Sequence, residues 1–525
     1  MGEKLGTGKL PSNTDPRSPP MTMAAQSVAP VDHFARAREE LEAVFKQLTE
    51  AGASHHVALG KLVTEGMARV GGDAFQGHLD ALFSQEQREI EQWARPDDSE
   101  VRARVRHLET DFGRMTVRRH GLKLAGEAEA RFPMDQHLSL PPEIYALSLR
   151  EGIADAAVEA SFARSVERID KATAGHVPKR QAEQQVIRAA ADFEAFYETR
   201  VPPANDALSA KALQAMSADC KGVTMRPEAL RDATRKAAEA ANVDAIRGDP
   251  MAERKARRSD KRMAVVTAVW EQEPHVRSAQ DVLERLRRDP EGRKRRPRSG
   301  NAPRPHNKRV AASLVKSNAE GVAEMFDEAQ RRNPDGERRN VVLVDGDEKQ
   351  IEYVEAEATR RAISITVVLD LIHVIHYLWT IALLLCGGVH KEADAWVGHI
   401  LVQVLTRHPL DVVATIRQTA TNRGLNSADR DAFDAAVEYL RKNSVYIHYA
   451  QFLADGLPIA TGVIEGACRY LVQDRMGITG ARWGLAVAEA VLKLRAIRTS
   501  GDWNHYWPFH LECEHARNYP DAKAA

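Results

Sequence analysis

Three hydrophobic, strand-like runs in this chain each close on an aspartate. Leu213 to Ala218 is followed by Asp219, Val341 to Val344 by Asp345, and Ile365 to Leu369 by Asp370. A fourth run, Arg262 to Trp270 (RMAVVTAVW), carries no such terminal carboxylate. Short β-branched runs bounded by polar residues predict buried strands, and helical periodicity at 226–241, 348–361 and part of 305–332 predicts an α/β unit. An Asp at the carboxyl end of a strand projects from the rim of a sheet, where several can converge on a hard cation. Carboxylate oxygens suit Mg²⁺, which keeps several waters and completes its shell with substrate phosphates. Two such ions about 4 Å apart serve phosphodiester chemistry. An Asp in this position can equally cap the helix that follows, so the pattern alone does not choose between catalysis and capping.

At 525 residues and 43% hydrophobic content the chain can build two to four cored domains. Lys plus Arg and Asp plus Glu both total 74, which excludes a uniformly basic packaging protein and an acidic solvating one. The balance is a cancellation: residues 251–340 carry 23 basic and 14 acidic groups, residues 341–470 carry 11 and 16. Within 285–309, eleven basic side chains face only Asp289 and Glu291, so this stretch reads as a basic linker, either simply solvated or in contact with DNA phosphates through residues such as Arg295, Arg296 and Arg298. Cys220, Cys386, Cys468 and Cys513 form no CxxC pair, which argues against a disulfide framework and for a reducing, cytoplasmic setting. Residues 1–30 lack the apolar core of a secretory signal and are expected to be disordered. Ala362 to Cys386 has membrane-spanning length but contains Asp370, His373 and His376; it reads as a strand followed by a core helix, and no membrane partner is expected.

The region 31–203 reads as mainly helical with one β-hairpin near Gly113. Val158, Phe162, Val166 and Ile169 form a helical stripe, Gly175 breaks it, and Val177-Pro178 opens a second helix with Lys179, Arg180 and Arg188 exposed. The span 157–193 thus suits a helix-turn-helix, or equally an ordinary helical hairpin. Pro202-Pro203 marks a domain boundary, and the chain beyond Leu371 is helical to about Arg498.

Several longer stretches carry a resemblance. SADCKGVTM (217–225), VVLVDGDEKQ (341–350), VVLDLIHVIHYLW (367–379), TGVIEGACRYLVQDRM (461–476) and GARWGLAVAEAVLKLR (480–495), with SLPPEIYALSLR (139–150) and HVPKRQAEQ (176–184) upstream, together resemble insertion-sequence transposases of the ISKra type, in the Mutator-like branch of the DDE enzymes. The resemblance spans about residues 35–515. It implies a ribonuclease H-like α/β catalytic core with a mixed sheet over 204–510, a helical insertion over 371–458, a DNA-binding region ahead of it, and a short tail at 511–525. It also implies an Asp, Asp, Glu triad holding Mg²⁺ or Mn²⁺. Within such a core the first two carboxylates lie on the first and fourth strands. The 125 residues between Asp219 and Asp345 leave room for the intervening strands, whereas the 24 between Asp345 and Asp370 do not. Asp219 and Asp345 are therefore the expected metal pair, and Glu465, on a helix over 462–476, is the third carboxylate. Asp370 and His373 match a supporting Asp-x-x-His motif and serve either as cap and core histidine or in substrate positioning. His376 lies about 120° from Asp370 around a helix, which disfavours a zinc site. Arg475, Arg482 and Trp483 are placed to hold a DNA end. The family carries Gly after its first Asp where this chain has Cys220.

The implied function is a DNA transposase of a mobile element, a metal-dependent polynucleotidyl transferase that binds terminal inverted repeats, acts on target DNA and assembles as a homo-oligomer in association with the nucleoid. Two other readings differ in mechanism: a tyrosine recombinase using Tyr446 or Tyr449, and a catalytically inactive DNA-binding relic.

Overall fold

The computed structural model describes residues 32–93, 99–200, 202, 208–237, 239, 260–286, 303–460, 462–478 and 480–520. Arg295, Arg296 and Arg298 and most of the basic linker lie outside them. The chain divides into two compact units, one holding the described residues up to Phe196 and from Trp503 onward, the other Tyr197–Asp502.

The first unit is built on a long helix, His56–Gln92, and an antiparallel hairpin of β1 (Glu100–Thr110) and β2 (Gly113–Lys123). Gly113 closes the hairpin at a φ of +93°, a conformation that costs a residue with a Cβ, and Thr110 Oγ1 accepts from the Phe112 amide and donates to the Gly113 carbonyl. One face of the hairpin buries Leu108, Met115 and Val117 against Leu79, Met134 and Leu140. The free edge of β2 is covered by side chains of the long helix: Gln76 bonds both the amide and the carbonyl of Thr116, and Glu86 accepts from the His120 amide. Capping the ladder this way removes an edge that could pair with another chain.

Three helices follow, Leu147–Glu159, Phe162–Ala172 and Lys179–Ala189. The expected stripe from Val158 to Ile169 is broken, because Ser161 is extended and caps the second helix through the Arg164 amide. Val158 therefore belongs to a separate helix, and the turn preceding Lys179 joins the second and third. The segment expected as a tail from residue 511 is helical: Trp503–Asn518 belongs to the first unit, where Tyr506 donates to the Ala189 carbonyl at 2.6 Å.

The second unit is a five-stranded mixed sheet of β3 (Leu213–Thr224), β4 (Lys261–Gln272), β5 (His306–Ser313), β6 (Asn340–Val344) and β7 (Ile365–Leu369). Their order is β5-β4-β3-β6-β7; β4 is antiparallel to β3 and β5, whereas β6 and β7 run parallel to β3. β5 occupies the first part of the 305–332 span, and the helix expected within it is Asn318–Arg332, opened by a reciprocal capping box of Ser317 and Glu320. Around the expected helix at 226–241, a single 3₁₀ turn, Pro227–Ala229, precedes helix at 232–237.

Side chains alternate across β3 and assign the two faces of the sheet. Gln214 Nε2 donates to the Ala329 carbonyl of the Asn318–Arg332 helix and Cys220 Sγ lies 3.3 Å from Asn318, whereas Asp219 meets Cys468 from the other side. On that second face the Leu485–Ser500 helix sends Glu489 to the Ser313 hydroxyl and the Leu314 amide, both at 2.7 Å, pinning the end of β5. Between β7 and the Gly462–Ala467 helix the chain forms five helices, Leu371–Leu385, His390–Thr406, Pro409–Arg423, Arg430–Lys442 and Tyr449–Ala454. Among the described residues no helix is long and apolar enough to cross a membrane.

Candidate active site

β6 is short and β3 is long, and that mismatch makes the site. The parallel pairing of β3 with β6 ends at Ser217 opposite Leu343, so two residues further along Asp219 stands level with Asp345. The pairing of β6 with β7 ends at Val344 opposite Leu369, which puts Asp345 level with Asp370. The Asp370 amide continues the ladder, donating to the Val344 carbonyl at 2.8 Å. Three aspartates thus form one backbone row across three adjacent parallel strands, whose axes lie about 4.8 Å apart. Asp219 does not end its strand as expected; β3 runs on to Thr224, paired past this point with β4 and met at its end by the Trp483 amide.

The turn after β6 is over-determined. Asp345 Oδ1 accepts from the Asp347 amide at 2.9 Å, Gly346 takes a φ of +90°, and Asp347 caps the Glu348–Arg360 helix through the Gln350 amide at 2.9 Å. Gln350 Nε2 reaches back to the Ala218 carbonyl at 2.8 Å, tying the turn to β3 just before Asp219. From the Arg430–Lys442 helix, the Tyr439 hydroxyl donates to the Asp345 carbonyl at 2.5 Å, and its ring stacks on Tyr377 at 3.7 Å. A Cβ at residue 346 would fall 2.5 Å from that hydroxyl, so only glycine fits here on both conformational and steric grounds.

The electrostatics are those of an uncompensated anionic site. Asp345 is shifted above the ordinary carboxylate range by burial and by the charges of Asp219 and Asp347, against the opposing Asp347 amide and His373. Burial and the Asp219 charge push the Cys220 thiol up to about 11 and the Cys468 thiol up as well. Among the described residues, none of Asp219, Asp345 and Asp347 is ion-paired to Lys or Arg. Burial is the largest cause of each shift and the negative charge already present adds to it, a combination that occurs at functional sites.

Asp370 is buried, and its Oδ1 accepts from the Ile372 amide at 2.8 Å, so it caps the Leu371–Leu385 helix. Glu465 is exposed on the Gly462–Ala467 helix. Cys468, three residues later and on the same helix face, lies with its Sγ 3.2 Å from Asp219 Oδ2. The helix that carries Glu465 thereby ends beside Asp219. It then passes into a π-helical segment, Cys468–Gln473, in which Arg495 takes up the Leu471 and Tyr470 carbonyls. Such segments recur at functional sites.

No protein-family model matches the chain, and no curated protein matches it.

The ligand atoms of Asp219, Asp345 and Glu465 do not all fall within 4.8 Å of one another. Among the described residues one group does and could hold an ion: Asp192, His510 and Glu514 of the first unit. This group already has counter-charges. His510 Nδ1 bonds Asp192 at 2.7 Å, Arg517 bonds both carboxylates, Arg150 bonds Glu514 at 2.8 Å and also Glu143, and Arg188 bonds Glu143 at 2.6 Å. Three carboxylates meet three guanidiniums, which leaves no net charge for a metal to neutralise.

The residues expected to contact DNA separate into different environments. Lys179 and Arg180 are exposed in the first turn of their helix, but Arg188 is engaged by Glu143. Arg475 corrects its expected role: it is 2% exposed, with its guanidinium over the Trp483 ring at 4.7 Å and its pKa lowered to about 10 by burial. Trp483 is itself buried, and its carbonyl accepts from the Arg226 amide. Arg482 is exposed and pairs with Asp260 at 3.2 Å. Asp347, Gln350 and Tyr439 were not singled out by sequence, whereas the spacing of Tyr377 already sets it close to the helix face of Asp370 and His373. Asp347 was within reach as the second acid of Asp-Gly-Asp; Tyr439, 94 residues from Asp345, gave no local signal.

Proposed function

We propose that this chain is a DDE-type DNA transposase with a ribonuclease H-like core, in which Asp219, Asp345 and Glu465 hold Mg²⁺ or Mn²⁺. The observation that carries the reading is the register row that sets Asp219 level with Asp345, on neighbouring parallel strands and without a basic partner. The strand order and directions of the second unit, third-second-first-fourth-fifth with only the second antiparallel to its neighbours, support the core assignment. The donor set, all carboxylate oxygens, suits a hard cation. When bound, the metal would lower the pKa of a water and stabilise charge on the phosphodiester.

The chain's own residues then have distinct tasks. The Asx turn engages Asp345 Oδ1 and leaves Oδ2 for a ligand. The Cys468 thiol and the Cys220 amide orient the Asp219 carboxylate. Asp370 holds the helix that carries His373 beside Asp345. Exposed Lys179 and Arg180 at a helix start suit contact with the phosphates of an element's terminal repeat. Hydrolysis at the element end would expose a 3′-hydroxyl, which then attacks target DNA, displacing one phosphodiester oxygen in each step.

The tyrosine route finds no support. Tyr449 is fully buried and donates to the Leu369 carbonyl, and Tyr446 is bonded to Glu355 with its hydroxyl pushed up to about 12, chiefly by burial. The test is strand transfer from a DNA substrate bearing the element's own ends. The proposal expects joined product from the native chain and none from Asp345→Asn; joining by the variant at the native rate would refute it.

A further inference from the structure

The five-helix segment between β7 and the Glu465 helix reaches the Asp345 backbone through the Tyr439 side chain. Tyr439, on the Arg430–Lys442 helix, is 94 residues from Asp345 in sequence, yet its hydroxyl donates to the Asp345 carbonyl at 2.5 Å. Its ring fills the space over Gly346 that any Cβ would need. The same ring lies flat on Tyr377, 3.7 Å between centroids and 14° between planes, and Tyr377 belongs to the helix that Asp370 caps and that carries His373. Two insertion helices therefore meet behind the turn whose front presents the Asp345 carboxylate. The other contacts on that turn, the Asp347 amide and the Gln350 side chain, come from the turn itself and from the helix it starts.

We propose that Tyr439 is the positioning residue by which the helical insertion sets the Asp345 carboxylate for cation binding, so that the insertion acts on the metal site itself. This rests on the reading of Asp345 as a metal ligand. The carbonyl that Tyr439 holds and the carboxylate that faces the cation belong to one residue. Freeing the carbonyl lets the peptide of Asp345 rotate and takes the carboxylate off its alignment with Asp219. A ligand misaligned in this way weakens binding while still allowing catalysis once the metal is forced on, because Tyr439 touches no reacting atom.

The experiment is Mn²⁺ binding to the full-length chain, read from the loss of the free-ion electron paramagnetic resonance signal, with cleavage followed in parallel. The native chain should bind Mn²⁺ in a manner that Asp345→Asn abolishes. Tyr439→Phe keeps the ring, the stack and the cover over Gly346 and loses one hydrogen bond, and it should weaken Mn²⁺ binding about fivefold. Its cleavage rate at saturating Mn²⁺ should stay within about twofold of native, a split that general loss of structure would not produce. Tyr446→Phe, in the same insertion but bonded to Glu355 instead, should bind as the native chain does. Native Mn²⁺ affinity in Tyr439→Phe would overturn the inference and leave the proposed function standing. Absence of Asp345-dependent Mn²⁺ binding in the native chain would overturn both.

Discussion

Two clusters of acidic side chains in this molecule look alike by proximity and differ in how their charge is met. Around His510 in the first unit, Asp192, Glu514 and Glu143 are answered by Arg150, Arg188 and Arg517, and every carboxylate has a guanidinium against it. In the second unit, Asp219, Asp345 and Asp347 are answered by backbone amides and a thiol, with the charge of His373 acting on Asp345. The first cluster is the tighter one and is complete as it stands. The second is looser and carries charge that the fold leaves unbalanced. Compensation, more than distance, sets the two clusters apart: the first is a balanced ion network, and the second carries charge that a cation would balance.

The largest expected effect lies in the complete cluster. Arg150 is fully buried and bonds Glu143, Glu514 and Gln185. Arg150→Met leaves three carboxylates with two guanidiniums, Arg188 on Glu143 and Arg517 on Asp192 and Glu514, and denaturant unfolding should show the first unit destabilised by about 3–5 kcal/mol. A loss under about 1 kcal/mol would mean that the network contributes little.

The same operation on the second cluster should do the opposite to stability. Asp345→Asn removes a charge that its surroundings oppose, so the metal-free chain should melt at the same temperature or higher while losing at least about a hundredfold in DNA cleavage, the share expected when a metal's charge stabilisation is withdrawn. Gly346→Ala should damage both properties. Its φ of +90° and the nearby Tyr439 hydroxyl place the cost at about 1–3 kcal/mol, visible as a lower melting temperature.

A subtler effect follows from pH. The carboxyl of Asp345 is raised in the folded chain above its ordinary value. Between the ordinary and the raised pKa the folded state binds more protons than the unfolded one, so stability without metal falls as pH rises through that window. Mn²⁺ binding needs the carboxylate and should rise over the same window. In Asp345→Asn the contribution of this residue to both slopes should vanish, as melting curves from pH 4 to 7 would record; an unchanged stability slope would mean that the shift is absent. Smallest of all, Tyr449→Phe loses one hydrogen bond to the Leu369 carbonyl, worth about 1 kcal/mol, and should leave cleavage within about twofold of native.

The sequence reading succeeded where the physics is local. β-branched runs of four or five residues marked β6 and β7, and both aspartates that follow them, because burial on two faces demands continuous apolar character. It misplaced Asp219 as a strand end because the length of β3 is decided by its antiparallel partner β4, which local pattern does not reveal. It lost β5 because Lys308 and Arg309 continue a basic stretch, and the buried residues of the strand, Val310, Ala312 and Ser313, include two apolar side chains and one hydroxyl. Charge suggested DNA contact for Arg475, but a guanidinium on a Trp face can be buried as readily as exposed. The Trp503–Asn518 helix joins the first unit across more than 300 residues of chain, through His510 and Tyr506 contacts that no periodicity announces. Tyr439 belongs to the same class of long-range partner.

The most direct test is cleavage of a labelled duplex carrying the element's terminal repeat by the full-length native chain in Mg²⁺. The account predicts a free 3′-hydroxyl at the element end, complete loss of cleavage with chelator and in Asp219→Asn, and no protein bound covalently to DNA. Cleavage that survives chelator and leaves a phosphotyrosyl adduct, or that Asp219→Asn performs at the native rate, would contradict it.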